Sequence, residues 1–287
     1  MSYPTFATPL VPLIVSVLLG VPAFGADDPP PRDTQPVDGA IPTPAEALAS
    51  LRLPEGFRAT LFASEPDVRQ PIAFAFDERG RLWVAENYTY AEREVGFADD
   101  LRDRIVILED EDGDGRADKR TVFADDLSKL TSIEIGLGGV WALCAPHLVF
   151  FADGDRDDRP DGEPEIHLDG FQSDEDIRHN VVNGLRWGPD GWLWGRHGIL
   201  ATSLVGRPGS PSAERVPINC GMWRYHPTRR VFEAVVHGTT NPWGHDWDEH
   251  GELFFINTVI GHLWHVLPGA HYERMYGEDL RPHLYSL

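Results

Sequence analysis

LRWGPDGWLWGRH, residues Leu185 to His197, joins an apolar run to a tryptophan-rich run through a Gly-Pro-Asp-Gly turn. Two strands linked by a tight reversal give this pattern, because the reversal needs a backbone angle that glycine takes without strain. The unit recurs. FAFDERGRLWVAE (Phe74 to Glu86) turns at Gly80, HDWDEHGELFFIN (His245 to Asn257) at Gly251, and IEIGLGGVWALC (Ile133 to Cys144) at Gly138-Gly139. The turn glycines at 80, 139, 191 and 251 lie 59, 52 and 60 residues apart.

Each interval leaves room for two more strands. RIVILED (Arg104 to Asp110) and KRTVFAD (Lys119 to Asp125) follow the first hairpin. HLVFFAD (His147 to Asp153) and EIHLDGF (Glu165 to Phe171) follow the second, and GMWRYHP (Gly221 to Pro227) and RVFEAVVHG (Arg230 to Gly238) the third. Four strands per repeat predict an all-β fold, a β-propeller of four-stranded blades with about four blades visible over residues 51–287. A β-sandwich would not repeat one strand-turn-strand unit. Propellers close on themselves so that no long sheet edge stays open, and the sequence stops at Leu287 just after the fourth repeat, so a domain that continues beyond it is expected.

The flanking features set the compartment. An apolar run from Leu10 to Val21 followed by Ala23-Phe24-Gly25 reads as a secretory signal over residues 1–25, although no Lys or Arg precedes it. Pro12 and Pro22 break the run, which is shorter than the roughly 20 residues a membrane span needs. Export to the periplasm or the extracellular space is expected, with residues 26–50 as a Pro-rich linker and no span in the mature chain. The net charge of -21 over 287 residues argues against a nucleic-acid partner, whose phosphates would be repelled. Cys144 and Cys220 could pair or stay as buried thiols; with no Cys-x-x-Cys-His the chain carries no covalent haem, and with no Cys-x-x-Cys no thiolate zinc site.

EDEDGDGRAD lies between two strands of the first repeat. Asp110, Asp112 and Asp114 alternate, Gly115 follows, and Asp118 is the ninth loop residue. This spacing wraps carboxylates around calcium, although Thr121 stands where an EF-hand has Glu. The second repeat places Asp153, Asp155, Asp157 and Asp161 likewise, with Asp158 where the glycine belongs.

A propeller ligand sits at one mouth of the central channel, between the loops entering the innermost strands and those leaving the second strands. The entering loops carry Arg178, His179, Asn180 and Asn183 in the third repeat and Thr240, Asn241 and Trp243 in the fourth. Glu86, Cys144, His197 and Asn257 follow the second strands. Polar groups converging there mark a pocket, with His179 and His197 as candidate general bases. Trp83, Trp187, Trp192, Trp194 and Trp247 read as blade packing and Trp243 as a ligand contact. His262 and His265, three apart on a strand, point to opposite faces and make a poor chelating pair.

LPEGFRATLFASEPDVRQPIAFAFDERGRLWVAE, DEDGDGRADKRTVFADDL, RHNVVNGLRWGPDGWLWGRHG, WRYHPTRRVFE and HGTTNPWGHDWDEHG together resemble the planctomycete-type membrane-bound dehydrogenase domain proteins. The resemblance runs from Leu53 to the end. That family is similar to the soluble quinoprotein glucose dehydrogenases, six-bladed propellers that use pyrroloquinoline quinone (PQQ) and calcium. Its members commonly continue into further blades, helical repeats and a c-type cytochrome domain. The resemblance implies a base near Asn180 or His179, and an Arg-Asn pair for the quinone that corresponds here to Thr240-Asn241. Asn241 matches; the arginine is absent. Two functions follow. One is an exported dehydrogenase that oxidises a sugar or alcohol and passes electrons to a cytochrome c partner, with Asn180, Asn183, Asn241 and Trp243 at the cofactor. The other is a non-catalytic propeller that binds carbohydrate or a protein. An Arg or Lys reaching the space beside Asn241 from another blade would discriminate between them.

Overall fold

The computed structural model describes residues 41–90, 96–173, 180–277 and 280–281. The expected signal segment and His179 lie outside them. The last part of the expected linker is a short helix, α1 (Pro44–Ser50), with Thr43 and Glu46 forming a capping box in which each side chain accepts from the other's backbone N–H. No described helix is long and apolar enough to cross a membrane.

The body is a four-bladed β-propeller. Blade 1 contains β1 (Pro71–Phe76), β2 (Leu82–Glu86), β3 (Asp103–Glu109) and β4 (Lys119–Leu127). Blade 2 contains β5 (Leu130–Ile135), β6 (Gly139–Cys144), β7 (His147–Ala152) and β8 (Glu165–Leu168). Blade 3 starts with β9 (Asn183–Trp187) and β10 (Leu193–His197). A separate hairpin of β11 (Ser203–Val205) and β12 (Val216–Ile218) interrupts it before β13 (Gly221–His226) and β14 (Val231–Gly238) complete it. Blade 4 holds β15 (Pro242–Trp247), β16 (Leu253–Asn257) and β17 (Leu263–His265), after which β18 (His271–Tyr272) returns to pair in parallel with β14. Successive strands within a blade are antiparallel.

The hairpin turn anticipated from the glycines is built the same way three times. The N–H groups of Gly80, Gly191 and Gly251 donate to the carbonyls of Asp77, Gly188 and Asp248, each at 3.0 Å. All three glycines have positive φ, near 80°. The carboxylates of Asp77, Asp190 and Asp248 then accept backbone N–H groups of the same turn, which fixes the reversal without help from the rest of the blade.

Alternate residues of each strand serve opposite interfaces. Trp83, Ala85, Ile105 and Ile107 face blade 2, where they meet Val140, Ala142, Val149 and Phe151. Val84, Val106 and Leu108, one place along, face away and are covered by Phe62, Ala63 and Val68 from the segment before β1. Trp141, Leu143 and Leu148 of blade 2 meet Leu185, Leu193, Trp223 and Tyr225 of blade 3. Trp194, Met222 and Val236 of blade 3 meet Leu253 and Phe255 of blade 4. Strands buried on both faces read as near-continuous apolar runs, as VWALC and RIVIL do. Trp83 and Trp194 are buried and Trp187, Trp192 and Trp247 pack beside these clusters, in line with their reading as packing residues.

Trp141 is 1% exposed and packs against the rings of Phe150 and His167 in its own blade and of Trp187 and Tyr225 in blade 3. Trp141→Ala is expected to cost about 3–5 kcal/mol, read as a lower urea midpoint. Phe74→Ser, on the exposed side of β1, should change the unfolding free energy by less than about 0.5 kcal/mol.

Candidate functional site in the central channel

The innermost strands β1, β5, β9 and β15 surround a channel with two adjoining cavities. The mouth, about 350 Å³, is lined by Asn87, Tyr90, Phe97, Asn180, Val181, Asn241 and Thr258. The barrel below, about 280 Å³, is lined by Ser132, Gly184, Arg186, Arg196, Gly244 and His245 among others. Ile72, Thr131, Asn183 and Trp243 border both. The sequence-expected residues Asn180, Asn183, Asn241 and Trp243 thus come together at the mouth.

Their loops are pinned from within. The Asn257 side-chain oxygen accepts the Asn241 N–H at 3.2 Å, and the Asn241 amide donates to Thr258 Oγ1 at 3.0 Å. The Asn183 amide donates to the Val181 carbonyl at 3.0 Å, and Thr131 Oγ1 donates to the Val182 carbonyl at 2.6 Å. Polar atoms are left over: Asn183 Oδ1, Asn241 Oδ1, Thr240 Oγ1 and Asn257 Nδ2 are buried without a partner among the described residues. Buried polar atoms are nearly always satisfied in a folded protein, so such a cluster beside a cavity is a place for a polar ligand or ordered water. Trp243 is 44% exposed, and Tyr90 packs edge-on against Phe97, giving the mouth an aromatic wall.

The barrel is cationic. Arg186 of β9 pairs with Asp246 of β15 at 3.1 Å on the solvent side. Arg196 comes from β10, the second strand, and makes no side-chain hydrogen bond or ion pair among the described residues; its Nε is buried and unpartnered. Burial, with Arg186 nearby, pulls its guanidinium below its ordinary range to about 9, which leaves it charged at pH 7. His245 Nε2 is also buried and unpartnered, and burial beside Arg196 and Arg186 holds the imidazole neutral. Near Arg186, burial raises the Glu134 carboxyl of β5 to about 7. Arg196 was visible in the sequence only as the residue beside His197. The clue that could have found it is Gly184, a glycine inside a strand, which marks a bulge or a close approach.

The structure corrects the reading of His197 as a base. The residue is fully buried and lines neither cavity. Its Nδ1–H donates to the Gly198 carbonyl at 2.9 Å, and its Nε2 accepts from Ser203 Oγ at 2.6 Å. Ser203 belongs to β11, so the histidine ties the inserted hairpin to blade 3. Glu86 is likewise buried, accepting from Arg69 N–H, Tyr88 OH and Arg120 Nη2. Cys144 and Cys220 are free, and burial raises both thiols, Cys220 to about 12.

The acidic loops lie apart from the channel cavities. Asp110, Asp112 and Asp114 present oxygens within 4.8 Å of one another. Asp118 of the expected four-carboxylate set is not part of that group, a correction; its Oδ2 accepts the Glu111 N–H at 2.9 Å. In the second loop the group is Asp153, Asp155 and Asp161. Asp158 takes φ +67°, the angle its missing glycine would supply, and holds Arg81 of blade 1 at 2.7 and 2.8 Å.

His197 sets a pH dependence. Burial lowers its pKa to about 4 from 6.5, so the fold favours the neutral form. Its contribution is complete above pH 6.5 and is lost as pH falls toward 4, because only the unfolded chain takes up the proton in that window. The span corresponds to about 3 kcal/mol. His197→Gln should lower stability at pH 7 and flatten the stability profile between pH 6.5 and 4, measured by urea unfolding.

Among solved structures, the PQQ-bound aldose sugar dehydrogenase of Streptomyces coelicolor is 16% identical with a TM-score of 0.48, covering 75% of this chain and 64% of its own. A Thermus thermophilus protein provisionally labelled an oxidoreductase (glucose dehydrogenase) is 20% identical with a TM-score of 0.48, covering 75% of this chain and 68% of its own. This chain therefore spans less than two thirds of the length of the first. No match was found among curated proteins. The family comparison matches residues 43–284, and the chain belongs to that family, the domain of unknown function DUF7133.

Proposed function

We propose that the protein is a quinoprotein-like dehydrogenase domain that oxidises a sugar or alcohol hydroxyl in its central channel. The observation that carries this reading is the half-buried Arg196 guanidinium, unpaired among the described residues and with its Nε fully covered, below a mouth lined by amides and aromatic rings. The resemblance of the sequence to the membrane-bound dehydrogenase domain proteins supports it. Thr240 leaves the expected arginine position without a cation, and Arg196, reaching across from blade 3 to Gly244, supplies one from another strand.

The residues present fit an orthoquinone bearing carboxylates. Such a group supplies, when bound, the two-electron acceptor that turns a hydroxyl into a carbonyl. Arg196 and Arg186 offer charge and forked N–H donors to its carboxylates. Asn183 and Asn241 hold polar edges, and Trp243 and Tyr90 shield the mouth and meet the C–H face of a sugar. His179, one residue from Asn180 where the family resemblance puts the base, takes the hydroxyl proton. Export to the periplasm or outside the cell, and delivery of the electrons to a c-type cytochrome, complete the scheme. Asp110, Asp112 and Asp114 hold a calcium ion that stiffens the β3–β4 loop; three hard oxygen donors suit that ion.

The test is titration of the protein with PQQ and calcium, followed by dye reduction with a panel of sugars and alcohols. A spectral change on loading and substrate-dependent reduction are expected, and His179→Ala should lower turnover by about 10²- to 10⁴-fold. Saturable sugar binding with no quinone uptake would instead establish the carbohydrate-binding propeller, which the aromatic and amide mouth also suits. Calcium should raise the melting temperature, and Asp112→Asn should abolish the rise; an unchanged melting curve on adding calcium removes the ion from the scheme.

A further inference from the structure

We propose that the barrel of the channel is a binding site for a carboxylate anion, anchored by Arg196 and opened to it by the glycine at position 184. The inference deepens the quinone reading by naming the anchor, yet the geometry stands without it.

β10 carries Arg196 in the second row of blade 3, one strand removed from the channel. Its side chain reaches the barrel because β9 and β10 slip register between Trp194 and Arg196, so that Arg196 lies opposite Asn183 and Gly184 falls out of the ladder. Gly184 has φ +68°, and a Cβ placed there would fall inside the Arg196 guanidinium. The guanidinium therefore crosses the inner strand where a side chain is missing. Beyond it, Nη1 comes within 3.8 Å of the point where a Cβ at Gly244 of β15 would stand. A gap in the inner wall, made by a bulge and a glycine, lets a second-strand cation into the channel.

The arrangement points to an anion. Withdrawing a charge from water is costly unless it is paired, and Arg196, half-buried with its Nε fully covered, has no carboxylate partner among the described residues although the protein has a net charge of -21. The nearest acid on the facing strand, Asp246, is engaged by Arg186. His245, held neutral, adds one unpartnered ring nitrogen from the same strand. One guanidinium fork matches the two oxygens of a carboxylate. A phosphate dianion is better served by clustered backbone N–H groups at a helix N-terminus, and the barrel wall is made of strands.

The full chain is titrated calorimetrically with benzene-1,2,4-tricarboxylate, a redox-inert probe, and in parallel with inorganic phosphate and with PQQ. The tricarboxylate should bind, phosphate should bind more weakly, and Arg196→Gln should weaken the tricarboxylate by about 10- to 100-fold. Arg196→Lys, which keeps the charge and loses the fork, should fall between. Gly184→Ala, which displaces the guanidinium without altering any charge, should weaken binding as Arg196→Gln does. Thermal melts of each variant without ligand identify any that fail to fold, and Arg196→Lys then carries the comparison. Tricarboxylate affinity unchanged in Arg196→Gln or in Gly184→Ala, no binding by the wild type, or phosphate bound as tightly as the tricarboxylate overturns the assignment. Arg196-dependent tricarboxylate binding without quinone uptake sinks the dehydrogenase reading and leaves this site standing. Quinone uptake indifferent to Arg196 does the reverse.

Discussion

Burial of the two middle blades on both faces is the constraint from which the rest of the molecule follows. A strand such as β6 sends Val140 and Ala142 to one neighbour and Trp141 and Leu143 to the other. Both sets must be apolar, so polar side chains are driven to three places: the turns at one end, the loops at the other, and the innermost strands where the blades converge. The acidic surplus collects in the turns and hairpin loops. The channel receives what is left, including the arginines and the neutral histidine.

The same packing explains how a charge survives near the centre. The three interblade clusters hold β9 and β10 firmly, with Leu185 and Leu193 anchored to blade 2 and Trp194 to blade 4. Between these anchors the two strands slip register over Trp194 to Arg196 without losing their places. A bulge increases local twist and re-aims a side chain, and here it turns an otherwise outward-stacked residue toward the axis. The fixed scaffold keeps Arg196 at the channel instead of letting it fold back toward solvent.

Much of this was legible in the sequence. The four hairpins and the six strands between them fall within three residues of their expected places, because glycine turns and apolar runs are local signals. The mouth residues Asn180, Asn183, Asn241 and Trp243 could be gathered because a propeller returns equivalent loops to one rim. The sequence did not reveal what depends on register or insertion. His197 looked like a rim base, but Ser203 from the β11–β12 hairpin meets its free nitrogen, and nothing in the repeat announces that hairpin. Asp118 looked like a fourth ligand, but its oxygens fall outside the group that Asp110, Asp112 and Asp114 form. β18, two residues that return to pair with β14, carries too little pattern to be seen.

Asp158 and Arg196 are two instances of one kind of substitution. In the second acidic loop an aspartate occupies a position whose backbone angle calls for glycine, and its carboxylate spans to Arg81 on the neighbouring blade, joining two blades at the strained residue. An ion pair across an interface offsets strain that a glycine would have avoided. At the channel the trade runs the other way: Gly184 gives up a side chain on the inner strand, and a cation from the next strand occupies the vacated space. A propeller tolerates both exchanges because its blades fix the positions of backbone segments more tightly than the identity of the residue filling each space. Matching single positions to a family pattern, as with Thr240, therefore undercounts the charges a channel holds; the count has to be taken over the volume of the channel.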